Sequence, residues 1–227
     1  MAEILVIAAH PDDEVLGCGG VIARHARAGD TVRVVIMAEG VTSRKGATAQ
    51  AEALGHLRTA ATKANQILGT TELVMEGLPD NRLDSMDRLA VIQRVEAHIE
   101  RWQPSVVYTH HVSDVNVDHQ VVHHAVVTAC RPQPGRSVER LLFFEVASST
   151  EWQPPGSGVP FQPNWFVDIT ESLDAKLAAL EAYRAEMRKW PHPRSLRAVE
   201  HLARWRGCTV GVGASEAFVL GRHIDRP

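Results

Sequence analysis

Residues 4–15, ILVIAAHPDDEV, decide both the fold and the site. The apolar stretch Glu3–Ala9 predicts a strand that is buried on both faces, as inner strands of parallel sheets are. It ends abruptly at His10, and Asp12 and Asp13 follow where the strand meets the start of a predicted helix. Because burying one imidazole beside two carboxylates is costly unless they bind something, the stretch favours a divalent-metal site.

The rest of the chain alternates between strand and helix patterns. This alternation predicts an α/β fold with a mostly parallel sheet and helices on both faces. The sequence contains no internal repeat and no linker, so we expect a single domain over residues 1–227. The patterns predict strands at 3–9, 31–38, 72–75, 105–109, 141–146 and 165–169, and helices at 14–28, 47–68, 89–102, 117–130 and 173–189.

Composition and charge exclude several classes of function. Hydrophobic residues make up 44% of the chain and the net charge is −3, which argues against a nucleic-acid or polybasic membrane surface. No stretch approaches a membrane span, and the first apolar run is too short for a signal peptide. The cysteines, Cys18, Cys130 and Cys208, are an odd number without paired spacing. We expect them to be reduced and mostly buried in a cytoplasmic protein.

Chemically active residues follow four of the predicted strands. His10–Asp13 follow the first strand, Glu39–Arg44 follow the second, Asp80 lies after the third, and His110–His119 follow the fourth. In a doubly wound sheet, ligands bind outside the carboxyl ends of the strands. We therefore expect these four groups to converge on one edge of the sheet, although they lie far apart in sequence.

The two adjacent aspartates allow two different roles. His10 and Asp13 are three residues apart across a turn, so both can reach one ion. Asp12 lies between them and is expected to point elsewhere, towards water at the metal. The alternative is that one aspartate only caps the helix, which is common at such positions. Capping does not explain a second aspartate with a histidine beside it, so we favour the metal site.

A second cluster, Tyr108–His124, contains five histidines: His110, His111, His119, His123 and His124. One of them is expected to complete the metal site. His119 opens a predicted helix, and His119 with His123 has the i, i+4 spacing of a metal-binding pair. The segment lacks the glutamate of a zincin motif, and we take His123 and His124 as structural.

The two motifs together resemble a known family. His10-Pro-Asp-Asp-Glu14 after the first strand and Asn116-Val-Asp-His119 after the fourth are similar to the zinc-dependent PIG-L/LmbE deacetylases. The resemblance covers most of the chain and implies a Rossmann-like three-layer sandwich. It also implies a zinc-dependent N-deacetylase that removes the acetyl group from a small N-acetylglucosamine-type amino sugar, using water activated by zinc and an aspartate as general base.

The resemblance assigns roles residue by residue. It implies that His10, Asp13 and His119 bind one Zn²⁺ per chain, and that Asp12 is the general base. Asp118 would support the site through a hydrogen bond. Imidazole and carboxylate ligands also suit Fe²⁺, which is the alternative metal.

Substrate contacts are implied in two loops. Arg44 matches a contact to the sugar or its anionic substituent, and Asp80 matches a sugar-binding position. From the residues alone, Glu145–Trp152 could line the sugar pocket with Trp152 stacking on a ring, or it is an ordinary packed loop. Glu216 is a further candidate to face the site.

The chain departs from the family at Asn116, where many members have a histidine. An amide can donate a hydrogen bond to an oxyanion but cannot act as a general acid. His192, between two prolines, is our candidate for the proton donor, against the alternative of a surface histidine. His110, His111 and Asp12 itself are rivals for that role.

Three alternatives to a deacetylase remain. A zinc amidase could cleave another acyl amide or a sugar–thiol conjugate with the same hydrolytic core. A nucleotide-binding protein is disfavoured because Gly17–Gly20 lacks the G-x-G-x-x-G spacing and adjacent carboxylates repel phosphate. A non-catalytic metal protein would leave Asp12 as an unused buried acid. The Pro-rich loops 153–163 and 191–195 could cross a subunit interface, which leaves a homo-oligomer open.

Overall fold

The protein is described by a computed structural model that covers residues 1–40 and 47–225. Its strands are β1 (Glu3–Ala8), β2 (Thr31–Ala38), β3 (Glu72–Leu78), β4 (Val106–His110), β5 (Arg140–Phe144), β6 (Trp165–Asp168) and β7 (Ser215–His223). Its α-helices are α1 (Asp13–Arg27), α2 (Ala47–Leu68), α3 (Arg88–Trp102), α4 (Val117–Ala129), α5 (Leu173–Ala182) and α6 (Leu196–Cys208).

The strands form one sheet of seven, in the order β3-β2-β1-β4-β5-β7-β6. The first five of this order are parallel, and β1 lies between β2 and β4 with Val6 opposite Val34 and Tyr108. β7 runs antiparallel to both β5 and β6. The predicted α/β fold with a mostly parallel sheet is confirmed, and the antiparallel strands lie at one edge.

Helices cover both faces of the sheet, which explains why β1 is apolar along its whole length. Ile4, Val6 and Ala8 face one core, which contains side chains of α1, α2, α5 and α6. Leu5 and Ile7 face the other core, which contains side chains of α3 and α4. Since successive side chains of a strand point to opposite faces, a strand between two cores must be apolar at every position.

Several predicted boundaries are wrong. The helix predicted over 173–189 ends at Ala182, where the backbone turns and the Tyr183 hydroxyl donates to buried Glu14 at 2.7 Å. β3 extends beyond residue 75, pairing Leu78 with Ala38 after a register shift. The sequence patterns also missed α6 and β7. Such tertiary contacts override local apolar patterns.

A break in α1 at Cys18 (φ −148°, ψ 25°) is held by a buried ion pair. Glu216 accepts hydrogen bonds from the backbone N–H groups of Gly20 (3.0 Å) and Val21 (2.7 Å). Lys176 donates to the carbonyl of Leu16 (2.8 Å) and to Glu216 (2.6 Å). The pair therefore satisfies the backbone groups that the break exposes, and Glu216 does not line the site where it was predicted.

Two glycines of this helix lie in close contact with side chains outside the helix. A Cβ atom at Gly17 would overlap the ring of Phe144 on β5, and one at Gly20 would lie 2.7 Å from Cδ1 of Ile169. The close approach of α1 to Phe144 and Ile169 therefore requires residues without a side chain at these two positions.

The cysteines are free and mostly buried, as predicted: Cys18 and Cys130 are buried, and Cys208 is exposed. Within residues 1–40 and 47–225, no helix combines the length and the apolar character needed to cross a membrane.

Candidate metal centre and active site

Three predicted ligands meet at the carboxyl edge of the sheet, and we call them the candidate metal centre: His10, Asp13 and His119. Oδ2 of Asp13 lies 3.3 Å from Nδ1 of His10 and 3.1 Å from Nε2 of His119, and the two ring nitrogens are 3.3 Å apart. Tetrahedral ligands ~2.0–2.1 Å from a zinc ion stand about 3.3 Å from one another. The triangle therefore has the dimensions of one face of such a site.

Two further carboxylates orient the histidines. Oδ2 of Asp118 lies 3.0 Å from Nε2 of His10, and Oδ2 of Asp114 lies 3.0 Å from Nδ1 of His119. Each ring thus presents its other nitrogen to the centre, which is the usual arrangement around metal-binding histidines. Asp118 is itself fixed by the backbone N–H groups of Asn81 (2.7 Å) and Leu83 (3.0 Å).

The centre carries an excess of negative charge that calls for a cation. Burial opposes protonation of His10 and His119, yet hydrogen bonds and charge from Asp13, Asp118 and Asp114 raise the pKa to about 10 for His10 and about 9 for His119. Burial would raise the pKa of Asp13, but the neighbouring histidines hold it well below its usual range. A divalent ion would meet the same need for positive charge.

One buried carboxylate oxygen in the centre is unsatisfied. Oδ1 of Asp13 has no hydrogen-bond partner in the part of the chain that the structure describes. A second cluster of possible ligands combines His10 with Asp80 and Asp118. Since Asp118 already accepts two backbone N–H bonds, the set with the unsatisfied Asp13 oxygen fits a metal better.

Asp12 takes a position distinct from Asp13. Its backbone is left-handed (φ 108°), a strain of about 1–3 kcal/mol that functional sites often store. Its side chain makes no capping hydrogen bond, so the alternative of a capping aspartate is wrong for Asp12. Instead Oδ2 accepts a hydrogen bond from Nη1 of Arg194 at 3.1 Å. Burial raises the pKa of Asp12 to about 8, although the Arg194 charge opposes this.

An open cavity of 570 Å³ leads to the centre, within the size range of small-ligand sites. Six predicted site residues line it: His10, Asp12, Asp13, Asp80, Asn116 and His119. The predicted segment 145–152 contributes Ser148, Ser149 and Trp152 to the wall. Arg44 lies outside the described residues.

Asn116 and Asp80 lie on the wall beside His10. Oδ1 of Asn116 caps α4 by accepting from the backbone N–H groups of Asp118 (2.8 Å) and His119 (3.4 Å). Its Nδ2 donates to Oδ1 of Asn81 at 3.3 Å. Oδ1 of Asp80 lies 3.4 Å from Nε2 of His10. The cap positions His119, a role that the sequence did not reveal.

The histidines considered as proton donors are not among the described residues that line the cavity. His192 is not among the described side chains that line it; its Nδ1 accepts from the Arg194 N–H at 3.0 Å and its ring contacts Trp152 edge-on. His110 is fully buried, its Nε2 accepts from the Ala9 N–H at 2.8 Å, and burial lowers its pKa well below the usual range. His111 accepts from the Ser113 N–H through Nδ1.

His123 does not pair with His119 as a metal ligand. Its Nδ1 donates to the backbone carbonyl of His110 at 2.8 Å, and its ring packs on Phe143. The predicted structural role is therefore confirmed, and the i, i+4 pair is wrong.

Sequence reasoning missed one residue at the site and gave another a different role. Asp114, which was missed, orients His119 and is held by the hydroxyls of Ser149 and Thr150. Arg194 is interpreted from the sequence as a phosphate contact or a surface pair, and in the structure it reaches Asp12 from the proline-flanked loop that carries His192. The signal for Asp114 was its place in the histidine cluster after β4.

Comparison with known proteins agrees with these motifs. A family model, PIG-L, described as GlcNAc-PI de-N-acetylase, matches residues 5–130. "Uncharacterized deacetylase YaiS" of Escherichia coli is 30% identical over 190 residues, covering 80% of this chain and 90% of the relative. The "Probable N-acetyl-alpha-D-glucosaminyl L-malate deacetylase 2" of Bacillus cereus is 31% identical over 188 residues, covering 81% of this chain and 83% of the relative.

Two further proteins are similar to this chain, an enzyme of a different reaction class and a protein of known structure. The "4-oxalmesaconate hydratase" of Pseudomonas putida is 29% identical, covering 83% of this chain and 75% of the relative. The solved structure of "the conserved protein TT1542" from Thermus thermophilus has a TM-score of 0.78 at 28% identity, covering 100% of this chain and 98% of the other. With the family model covering more than half of the sequence, the chain belongs to the PIG-L family, related to the LmbE-like proteins.

Proposed function

We propose that the protein is a zinc-dependent N-deacetylase that removes the acetyl group from a small N-acetylated amino sugar, in one domain. The observation that carries the proposal is the buried triangle of His10, Asp13 and His119, with sides of 3.1–3.3 Å, beneath an open cavity. The deacetylases named among its relatives support the same chemistry.

The three residues would hold one Zn²⁺ per chain, and their donor set also suits Fe²⁺. Such an ion supplies Lewis acidity, which polarises an acyl carbonyl and makes water acidic enough to attack it at neutral pH. Asp118 and Asp114 keep the two imidazoles oriented through their far nitrogens.

Asp12 would act as the general base. Its carboxylate lines the cavity and is held by Arg194. It would accept the proton of the attacking water and can return that proton to the departing amine. This makes Asp12 a better candidate for the acid step than His192, which stands behind Trp152.

Polar groups of the wall would bind the substrate. Nδ2 of Asn116 can donate to the acyl oxygen as charge develops there, an effect often worth ~2.7–4 kcal/mol per donor. Asp80 would accept hydrogen bonds from sugar hydroxyls, and Arg44 would contact the sugar or its anionic substituent. The chain thus replaces the histidine found in many family members by a neutral hydrogen-bond donor.

A second candidate is favoured by one relative, the 4-oxalmesaconate hydratase. Such an enzyme adds water to its substrate and does not hydrolyse an amide. A different acyl amide or a sugar conjugate is a further variant of the main proposal, and the malate deacetylase relative favours a conjugate.

The test is amine release from free, glycosidic, thiol-linked and nucleotide-linked N-acetylglucosamine, using chelated protein before and after Zn²⁺ or Fe²⁺ is restored. We expect metal-dependent release from at least one class. Protein that contains one metal ion per chain and releases amine from none would contradict the deacetylase and favour the hydratase.

A further inference from the structure

One aromatic side chain in the wall of the catalytic cavity has no part in the proposed chemistry. Trp152 lines the cavity and keeps 52% of its surface exposed. Among the described residues that line the cavity, the only other aromatic rings are those of His10 and His119, which belong to the candidate metal centre. Tryptophan is highly buried on average, so an indole left open inside a ligand cavity calls for an explanation.

The indole is held at a fixed distance from the candidate metal centre. Trp152 ends a one-turn 3₁₀ helix, Thr150–Trp152. The Thr150 hydroxyl donates to Oδ2 of Asp114 at 2.9 Å, and the same oxygen lies 3.0 Å from Nδ1 of His119. One carboxylate therefore holds both the segment that carries the indole and a metal ligand. A group that is already in place before its ligand arrives loses less freedom on binding.

His192 contacts the indole from outside the cavity. The two rings meet edge-on, with centroids 5.7 Å apart and planes at 77°, which is a favourable geometry for an aromatic pair. Nδ1 of His192 accepts from the Arg194 N–H at 3.0 Å, and the His192 N–H donates to the carbonyl of Lys189 at 3.1 Å. The Arg194 guanidinium in turn donates to Asp12. One loop thus contacts both the indole and the proposed general base.

The ring of an amino sugar such as N-acetylglucosamine presents two kinds of surface. Its hydroxyl groups project around the edge of the ring, and its C–H groups form apolar faces. An indole can pack against such a face while polar groups bind the hydroxyls at the edge. The cavity wall offers both kinds of partner, the indole of Trp152 and the polar side chains of Asp80, Asn116 and Ser148.

We propose that Trp152 is the platform against which the ring of the substrate packs, and that His192 is a positioning residue that holds the indole in place. His192 then serves ring binding and not proton transfer. A proton donor must reach the leaving amine directly or through one water, and His192 is not among the described residues that line the cavity. This proposal rests on the proposed function, because the ring lies in the cavity only when its acetamido group is at the metal centre.

The binding test follows tryptophan emission while N-acetylglucosamine is added to zinc-loaded Asp12→Asn protein, which should keep the metal without appreciable amine release. Trp205 on α6 is the matched control, because it is 63% exposed and is not among the described residues that line the cavity. In this background we expect a saturable change in emission that Trp152→Phe removes and Trp205→Phe retains. The absence of a saturable change, or a change that persists in Trp152→Phe, would overturn the platform.

Amine release from N-acetylglucosamine by zinc-loaded protein that retains Asp12 gives a second readout. Trp152→Ala should raise KM about tenfold and leave kcat nearly unchanged, since a packing contact stabilises the bound substrate and the transition state alike. Trp205→Ala should change neither. An unchanged KM in Trp152→Ala, or a loss confined to kcat, would overturn the platform.

Two substitutions separate the alternative roles of His192. His192→Phe keeps an aromatic ring beside the indole but has no acceptor for the Arg194 N–H and no proton to donate, whereas His192→Asn keeps an acceptor and lacks the ring. We expect His192→Asn to raise KM severalfold with kcat and the pH–rate profile unchanged, and His192→Phe to restore most of that affinity. A lower kcat in both variants would assign proton transfer to His192, and a defect in His192→Phe alone would assign it only to the turn. Either result would overturn the positioning role.

Failure of this proposal and failure of the proposed function give different results. An emission change that depends on Trp152, without amine release by the zinc-loaded protein, would contradict the deacetylase and leave the platform standing. Amine release with the same KM before and after Trp152→Ala would leave the deacetylase standing and overturn the platform.

Discussion

Two clusters of buried charged side chains contact α1, one at its break and one at its first turn. At the break, Glu216 is matched by Lys176 and by two backbone N–H groups. At the first turn, Asp13 faces two histidines, keeps an unsatisfied oxygen, and has the buried carboxylates of Asp12 and Asp118 nearby. The first cluster is complete within the fold, whereas the second keeps a buried carboxylate oxygen without a hydrogen-bond partner among the described residues. Buried charge alone therefore does not mark a site; unmatched buried charge beside a cavity does.

The largest effect is expected from removing a ligand of the candidate metal centre. His119→Ala should lose the metal, and turnover should fall to that of the chelated protein, because only two of the three ligands, His10 and Asp13, remain. Metal analysis and amine release on the same sample measure both. An active, metal-containing His119→Ala protein would contradict the assignment.

The next effect concerns Asp12, which lies beside the centre but outside the triangle. Asp12→Asn should lower kcat by about 10²–10⁴-fold, the usual contribution of a general base, while the metal stays bound. The asparagine retains a hydrogen-bond acceptor for Arg194. Near-normal turnover with metal present would remove Asp12 as the base.

Disrupting the Lys176–Glu216 ion pair should lower the free energy of unfolding and leave the metal content unchanged. Lys176→Met leaves the Glu216 carboxylate buried without its cation, which typically costs about 3–5 kcal/mol of unfolding free energy. Adding Glu216→Gln to this variant should recover much of the loss. Urea unfolding measures the stability, and metal analysis of the folded protein should still give one ion per chain. Loss of the metal in the folded single variant would contradict the distinction between the clusters.

A smaller effect is expected from Arg194, which links the site to the loop after α5. Arg194→Gln should lower kcat roughly tenfold, in line with ~1.5 kcal/mol for a hydrogen bond to a charged group. Burial raises the pKa of Asp12 and the Arg194 charge lowers it. Removing that charge should therefore move the acidic limb of the pH–rate profile to higher pH. A limb that moves to lower pH would contradict the contact.

Sequence predicted the parts of the molecule that depend on local pattern. The doubly buried β1 and the turn at His10–Asp13 are continuous in sequence, so their apolar run and their charges could be read together. His119 was reached through the resemblance, and the interpretation of His123 as structural agrees with its hydrogen bond to the His110 carbonyl. Arg194 lies 182 residues from Asp12, and no local pattern reports that contact.

The wrong predictions have the same cause, because they concern contacts between residues that lie far apart in the sequence. Glu216 was a candidate for the site, but its partners on α1 and α5 become visible only when the chain has folded. α6 and β7 were missed, and the helix after residue 173 was predicted too long; it ends at Ala182, next to Tyr183, whose hydroxyl donates to Glu14. Local patterns carry information on single elements and little on contacts between distant ones.

The most direct test of the account is a crystal structure of zinc-loaded protein with anomalous data collected at the zinc edge. The account predicts one anomalous peak per chain, ~2.0–2.2 Å from Nδ1 of His10, Oδ2 of Asp13 and Nε2 of His119. A peak bound instead by Asp80 and Asp118, or no peak at this edge of the sheet at full zinc loading, would contradict it.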